Sequence, residues 1–161
     1  MSTLFIRPVQ EQDDARLATI IRAAFLEFNA PTRNTVFEDP TTDRLSELFR
    51  AGNAVLWVAE QEDNILGCCG IYPTEGLPEH CAELVKFYLS ASARGKGVGK
   101  ALFSKCLESA IALNYKEIYL ESLPQFVTAV GMYEKLGFQQ LGHPLGNSGH
   151  TGCTIWMLKA L

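Results

Sequence analysis

The sequence predicts a single α/β domain over residues 1–161, built from about seven strands and about four helices. Three observations point there. Strand-like and helix-like stretches run in the order β-α-α-β-β-β-α-β-α-β-β, with one strand–helix–strand crossover at the centre. A chain of 161 residues is long enough for one sizeable core and short for two domains. Hydrophobic residues at 47% and charged residues at 20% give a globular balance, and no repeat, low-complexity segment or linker divides the chain.

Residues 3–9, TLFIRPV, read as a first strand closed by Pro8. Asp13 and Asp14 open a helix whose Leu17, Ala18, Ile21, Ala24, Phe25 and Phe28 recur at helical spacing. The polar, proline-flanked NAPTRNTVFEDP is a loop. Thr41 or Thr42 caps a short helix, DRLSELFRAG, that stops at Gly52. AVLWVAEQEDNILGCCGIYP is two strands joined by a Glu-Asp-Asn turn. CAELVKFYLS, nearly continuous in apolar character, is the next strand. VGKALFSKCLESAIALN is a helix with Val98, Ala101, Leu102, Cys106, Ala110 and Leu113 on one face. EIYLES is a strand, QFVTAVGMYEKLGF a helix ending at Gly137, and two last strands lie near 138–142 and 152–159.

A net charge of −4 and a pI of about 5.4 exclude a broad basic surface for nucleic acid, so any anion site is local. No uncharged stretch approaches a bilayer span, and MSTLFIRPVQEQDD lacks the cationic-then-apolar order of a signal peptide. Cys68, Cys69, Cys81, Cys106 and Cys153 form no C-x-x-C pair and leave one over, the usage of reduced thiols rather than of disulfides or a zinc site. The expectation is a cytoplasmic protein, monomer or homodimer, with no metal and no nucleic-acid or membrane partner.

One stretch resists a packing explanation. ARGKGVGKAL, residues 93–102, crowds three glycines and three cations ahead of an apolar helix, where glycine weakens the helix and like charges repel. Its place between a buried strand and an amphipathic helix suits an anion. Helix-start N–H groups lack partners there, and glycine lets a phosphate approach the backbone. Two nucleotide motifs fail on spacing. A P-loop needs glycine where Arg94 stands and Ser or Thr at Ala101, and the dinucleotide fingerprint needs a third glycine where Lys100 stands.

The pattern that fits is R-G-x-G-x-G after a strand ending in an apolar-aromatic run. FYLSASARGKGVGKAL resembles the acetyl-coenzyme A motif, Q/R-x-x-G-x-G/A, of the GNAT superfamily of N-acetyltransferases, with Arg94, Gly97 and Gly99 at its defined positions. MYEKLGF, residues 132–138, is similar to that family's L-Y-x-K-x-G-F, and the element order matches from near residue 3 to the C-terminus. The resemblance implies the family's mixed, mostly antiparallel central sheet, acetyl-coenzyme A as co-substrate, and direct acetyl transfer to a primary amine. The acceptor it implies is a small-molecule or amino-acid-like amine. A peptide or protein amine, or a non-catalytic acyl-coenzyme A-binding module, are the alternatives.

The resemblance also implies roles. The backbone of Gly95, Lys96, Gly97, Val98, Gly99 and Lys100 would hold the pyrophosphate, while Arg94 either contacts phosphate or closes the strand end with a carboxylate. The extended pantetheine arm would pair with the edge of Phe87, Tyr88 and Leu89, where in relatives the strand splays from its neighbour and its last N–H groups polarise the thioester carbonyl. An alkyl ammonium of pKa about 10.4 is only about one part in 10³ neutral at pH 7, so a base matters. Glu83 is the candidate. It stands eleven residues before Arg94, as does the general-base glutamate of the family's histone-acetylating branch. Glu121 is the second candidate. Period-two alternation sets Glu83 on the face of Val85, Phe87 and Leu89, half-buried and with a raised pKa. The other reading is a strand carboxylate paired with a nearby Lys or Arg. Tyr133 matches the family tyrosine that protonates the leaving thiolate; the other reading is a core aromatic whose hydroxyl is satisfied by backbone. The family often carries Asn seven residues before that tyrosine, where this chain has Phe126 with Gln125 beside it.

Among the remaining residues, Cys68 and Cys69 are expected to be buried in a strand and Lys86 to alternate to its outside. Gly137 ends its helix with Phe138 tucked back. His143 and His150 lie in LGHPLGNSGHTGC, read as a mobile loop bordering the acceptor pocket. His150 is either a substrate contact or alternate base, or a turn histidine. Acceptor specificity is expected on residues 28–40 and 142–152.

Overall fold

The computed structural model describes residues 3–161. Strands β1 (Phe5–Pro8), β2 (Val55–Gln61), β3 (Asn64–Tyr72), β4 (Cys81–Leu89), β5 (Glu117–Ser122), β6 (Gln139–Leu141) and β7 (Ile155–Ala160) form one sheet in the order β1-β2-β3-β4-β5-β7-β6. Neighbouring strands are antiparallel except β4 and β5, which are joined by the crossover through α3 (Val98–Ala112) and therefore run parallel. Helices α1 (Asp14–Glu27) and α2 (Leu45–Leu48) cover one face of the sheet, and α3 and α4 (Val127–Lys135) the other. The expected mixed, mostly antiparallel sheet of seven strands with four helices is present.

Burial explains why these helices form. On α3, Leu102, Phe103, Cys106 and Ala110 pack with Ile71, Leu84 and Ile118 in one core. On α1, Leu17, Ile21 and Phe25 meet Leu45, Leu56 and Val58 in the second. With both faces covered, β4 is apolar on both sides, which is why its sequence scarcely alternates. The start of α2 differs from expectation. The Thr41 N–H donates to Asp39 Oδ1 at 2.9 Å and opens a 3₁₀ turn, Pro40–Asp43, ahead of the helix. Pro40 at its first position begins that turn early. Thr42 is buried and donates instead to the Val36 carbonyl at 2.8 Å.

Two departures from regular pairing prepare the site. β4 and β5 pair only from Cys81↔Glu117 to Glu83↔Tyr119, and beyond Glu83 their ladder stops. On its other side β4 carries a bulge. Gly70 opposes Val85 and Cys68 opposes Tyr88, so Cys69 alone stands against Lys86 and Phe87, and Lys86 takes a φ of +55°. The extra residue reverses the alternation. Val85 and Tyr88 pack in the core beneath α1, whereas Phe87 and Leu89 pack in the core beneath α3. Glu83 thus shares a face with Val85 and not with Phe87 and Leu89, correcting the expectation from simple alternation. Lys86, expected outside, is 6% exposed, because a strand covered on both faces has no outside.

Candidate active site

The fork where β4 and β5 part opens into a cavity of about 600 Å³. Its walls bring together most of the residues singled out from the sequence. Glu83, Phe87, Tyr88 and Leu89 come from β4, Glu121 from the end of β5, and Tyr133 from α4. The turn before α3 supplies Arg94, Gly95, Gly97, Gly99 and Lys100. Val98 instead points into the core, and Lys96 is exposed and lies off the cavity wall.

The glycine turn is open. Gly97 has a φ of +82°, which glycine adopts without strain, and precedes the first residue of α3. A β-carbon added at Gly95 or Gly97 would meet no protein atom within 4 Å. The turn therefore presents bare backbone beside the unpartnered N–H groups that begin a 15-residue helix. Arg94 takes the second of its two expected arrangements. It donates to Glu27 at 2.5 Å and to the Leu89 carbonyl at 3.2 Å, and its guanidinium lies 4.9 Å over the Phe28 ring. These contacts tie the turn to the end of α1.

Glu83 stands at the apex of the fork, 4% exposed. Thr74 donates to its Oε1 at 2.6 Å, and among the described residues Oε2 accepts no hydrogen bond. No described ion pair includes it, so it lacks the Lys or Arg partner of an ordinary strand carboxylate. Burial lifts its carboxyl from 4.5 to about 7. The Thr74 bond opposes the rise, the charge of Glu121 adds to it, and Lys86 subtracts.

Glu121 is held differently. Tyr119 donates to its Oε2 at 2.7 Å and Ser148 to its Oε1 at 2.5 Å, so both oxygens are engaged. The Tyr119 hydroxyl in turn accepts from the Leu145 N–H at 3.1 Å, and Ser148 Oγ from the His150 N–H at 3.1 Å. His150 Nε2 lies 2.7 Å from Asp39 Oδ2. Burial acts to raise Asp39, but hydrogen bonds with His150 and Thr41 outweigh it and hold the carboxyl at about 2. The segment read from its glycines as a mobile loop is thus fastened to β5 through Tyr119 and Glu121, and to the 28–40 segment through Asp39 and the Asn34 carbonyl.

Tyr133 is buried on α4, its ring 6.2 Å from Phe87 and 5.7 Å from Phe138. Its hydroxyl makes no hydrogen bond among the described residues, so the backbone partner of a satisfied core tyrosine is missing. Burial, reinforced by Cys69, raises its pKa above the ordinary phenol value and keeps it a donor. The helix ends as expected. The Phe138 N–H folds back to the Tyr133 carbonyl at 3.0 Å past Gly137 at φ +98°.

Sequence reasoning missed three parts of this cavity. Phe126, where the resembling family often carries Asn, packs 5.3 Å from Phe25 and 5.8 Å from Phe28 as an aromatic wall, with Gln125 beside it. Lys86 also lines the cavity. Its signal was available, since a lone charge in LVKFYL, apolar on both faces, has no exposed direction to take. Cys153 lines the cavity too. Burial, with Glu121 and Glu83, pushes its thiol up to about 12, far from the thiolate a nucleophile requires.

Comparison with known proteins places this geometry. Residues 21–138 match the acetyltransferase (GNAT) family. The chain is 32% identical over 157 residues to the uncharacterized N-acetyltransferase YjgM of Escherichia coli (strain K12), covering 97% of this chain and 94% of that one. It is 35% identical over 86 residues to N-acetylaspartate synthetase of Homo sapiens, covering 53% of this chain and 28% of that protein. Among solved structures, a GNAT-family acetyltransferase from Staphylococcus aureus Mu50 matches the fold with a TM-score of 0.82 at 20% identity, over 99% of both chains. A phosphinothricin acetyltransferase from Sinorhizobium meliloti, solved in complex with AcCoA, matches with a TM-score of 0.76 at 22% identity, over 99% of this chain and 89% of that one.

Proposed function

The chain belongs to the acetyltransferase (GNAT) family, and from that membership we propose that it transfers an acetyl group from acetyl-coenzyme A directly to the primary amine of a small-molecule or amino-acid-like acceptor. The observation that carries the reading is a single cavity lined by an open glycine turn, a buried carboxylate without a cation and a phenol without a partner. The residues fit the co-substrate. Bare backbone at Gly95 and Gly97 and the free N–H groups of α3 suit a pyrophosphate. The edge of β4 past Glu83, unpaired with β5, suits an extended arm that carries amides. When bound, acetyl-coenzyme A supplies an activated thioester.

The chain's own groups divide the work. N–H groups of residues 95–100 hold the phosphates, with Lys100 at the rim and Arg94 fixing the turn through Glu27 and Leu89. Backbone at Phe87, Tyr88 and Leu89 orients the arm, and an N–H there that polarises the carbonyl is worth about 3 kcal/mol. Glu83 accepts the acceptor's proton. A carboxyl near 7 is ionised often enough at neutral pH to act, and holds a proton far better than an ordinary carboxylate of about 4.3. Tyr133 donates its hydroxyl hydrogen to the departing sulfur. Because its pKa exceeds that of a thiol, about 8.5, the bond steadies the thiolate without requiring full proton transfer. Glu121, with both oxygens engaged, positions the 142–154 segment beside the acceptor. The name of the N-acetylaspartate synthetase relative supports an amino-acid-like acceptor.

The test is thiol release from acetyl-coenzyme A across a panel of amines and amino acids, with product masses read in parallel. The reading expects release that depends on the amine, with one acetyl adduct formed per thiol. Coenzyme A binding without amine-dependent release would instead identify a binding module.

A further inference from the structure

Lys86 has no task in the chemistry above, and its setting is unfavourable for a charge. It sits at the β4 bulge, 6% exposed, on the wall of the cavity that holds Glu83. Its φ of +55° lies where residues other than glycine meet strain, of about 1 kcal/mol. Among the described residues its ammonium makes no hydrogen bond and no ion pair within 4 Å. Burial lowers its pKa, while Asp39 and Glu83, followed by Cys68 and Cys153, pull it back up. Asp39 is committed to His150 and Thr41, and Glu83 accepts from Thr74 with one oxygen and forms no ion pair with Lys86. The stem of the side chain is buried while its unpaired ammonium opens on the cavity, so an anion entering there meets a poorly solvated cation that no protein group has claimed. The other basic side chains on the wall have different stations. Arg94 is tied to Glu27, His150 to Asp39, and Lys100 stands exposed in the first turn of α3.

We propose that Lys86 is the anchor for an anionic group of the acceptor: it pairs with a carboxylate carried beside the reacting amine, so that the acceptor is an amino acid. The proposal rests on the acetyl-transfer reading above. Glu83 and Lys86 stand three residues apart on β4 and do not pair with each other. One small zwitterion can bridge them, its ammonium toward the carboxylate and its carboxylate toward the ammonium. At so enclosed a position the match is selective. A congener without the carboxylate covers Lys86 and leaves it unpaired, a difference worth roughly 10²-fold.

The experiment compares common amino acids with the amines made by removing their carboxylate. It uses steady-state kinetics, and calorimetry on the coenzyme A-loaded protein. In the wild-type protein kcat/KM favours the preferred amino acid over its decarboxylated amine by roughly 10²-fold, mostly through KM. Lys86→Met collapses that ratio toward one with coenzyme A affinity intact, and Lys86→Arg keeps most of it. Equal use of amino acids and their decarboxylated amines by the wild-type protein overturns the anchor and leaves acetyl transfer standing. Amino-acid binding that Lys86→Met abolishes, in a protein that releases no thiol, upholds the anchor and overturns acetyl transfer. Acetylation of Lys86 itself on incubation with acetyl-coenzyme A alone, read by peptide mass, overturns the anchor by making Lys86 the acceptor.

Discussion

One carboxylate oxygen of Glu83 and the Tyr133 hydroxyl have no protein partner among the described residues, and both residues open on the same cavity. That leaves each group free for a ligand. For Tyr133 the consequence is a split between chemistry and binding. Tyr133→Phe should lower kcat by roughly 10-fold, the worth of one hydrogen bond to a charged sulfur, and leave coenzyme A affinity within error. Wild-type turnover at saturating substrates would return Tyr133 to a packing role. Both residues were legible in the sequence, Tyr133 from MYEKLGF and Glu83 from its distance to Arg94. Lys86 was not, because alternation presumes a strand with one free face, and β4 has none. The bonds from Thr74 to Glu83 and from Ser148 to Glu121 were hidden as well, since they join residues far apart in the chain that carry no shared pattern.

At the scale of elements, the site is made by two interruptions of the sheet, the fork beyond Glu83 and the bulge at Lys86. The elements themselves were legible because their burial is periodic. α3 carries its apolar residues on one stripe, and β5 was bounded correctly as EIYLES. The bulge leaves no compositional mark, since an extra residue in an apolar run reads like any other, and so the faces of Phe87 and Leu89 came out reversed. The turn before α3 yields a sharp prediction. Gly97→Glu should weaken coenzyme A binding by at least about 10²-fold, through bulk and like charge where the phosphates fit. It should cost the fold only about 1 kcal/mol, the strain of a side chain at φ +82° in otherwise open space. Calorimetry on a folded variant with unchanged affinity would remove the turn from the cofactor site.

For the whole molecule, the buried carboxyl couples folding to pH. Glu83 holds its proton more tightly folded, at about 7, than at its ordinary value of 4.5. Folding therefore takes up a proton. The associated stability is fully present below about 4.5 and is lost as pH rises through about 7. Glu83→Gln removes that loss while keeping an acceptor for Thr74. Urea titrations should show the variant more stable than wild type at pH 8 by about 2–3 kcal/mol, with the gap closing toward pH 5. An equal pH dependence in both proteins would mean that Glu83 does not titrate in this range. The same carboxyl is the hinge of the catalytic account, and the pH dependence of kcat/KM tests it most directly. The wild-type profile should fall on an acidic limb with an apparent pKa of about 7. Glu83→Gln should lower the rate by about 10² and flatten that limb, and Glu121→Gln should keep it. A limb that survives in Glu83→Gln and disappears in Glu121→Gln would contradict the account.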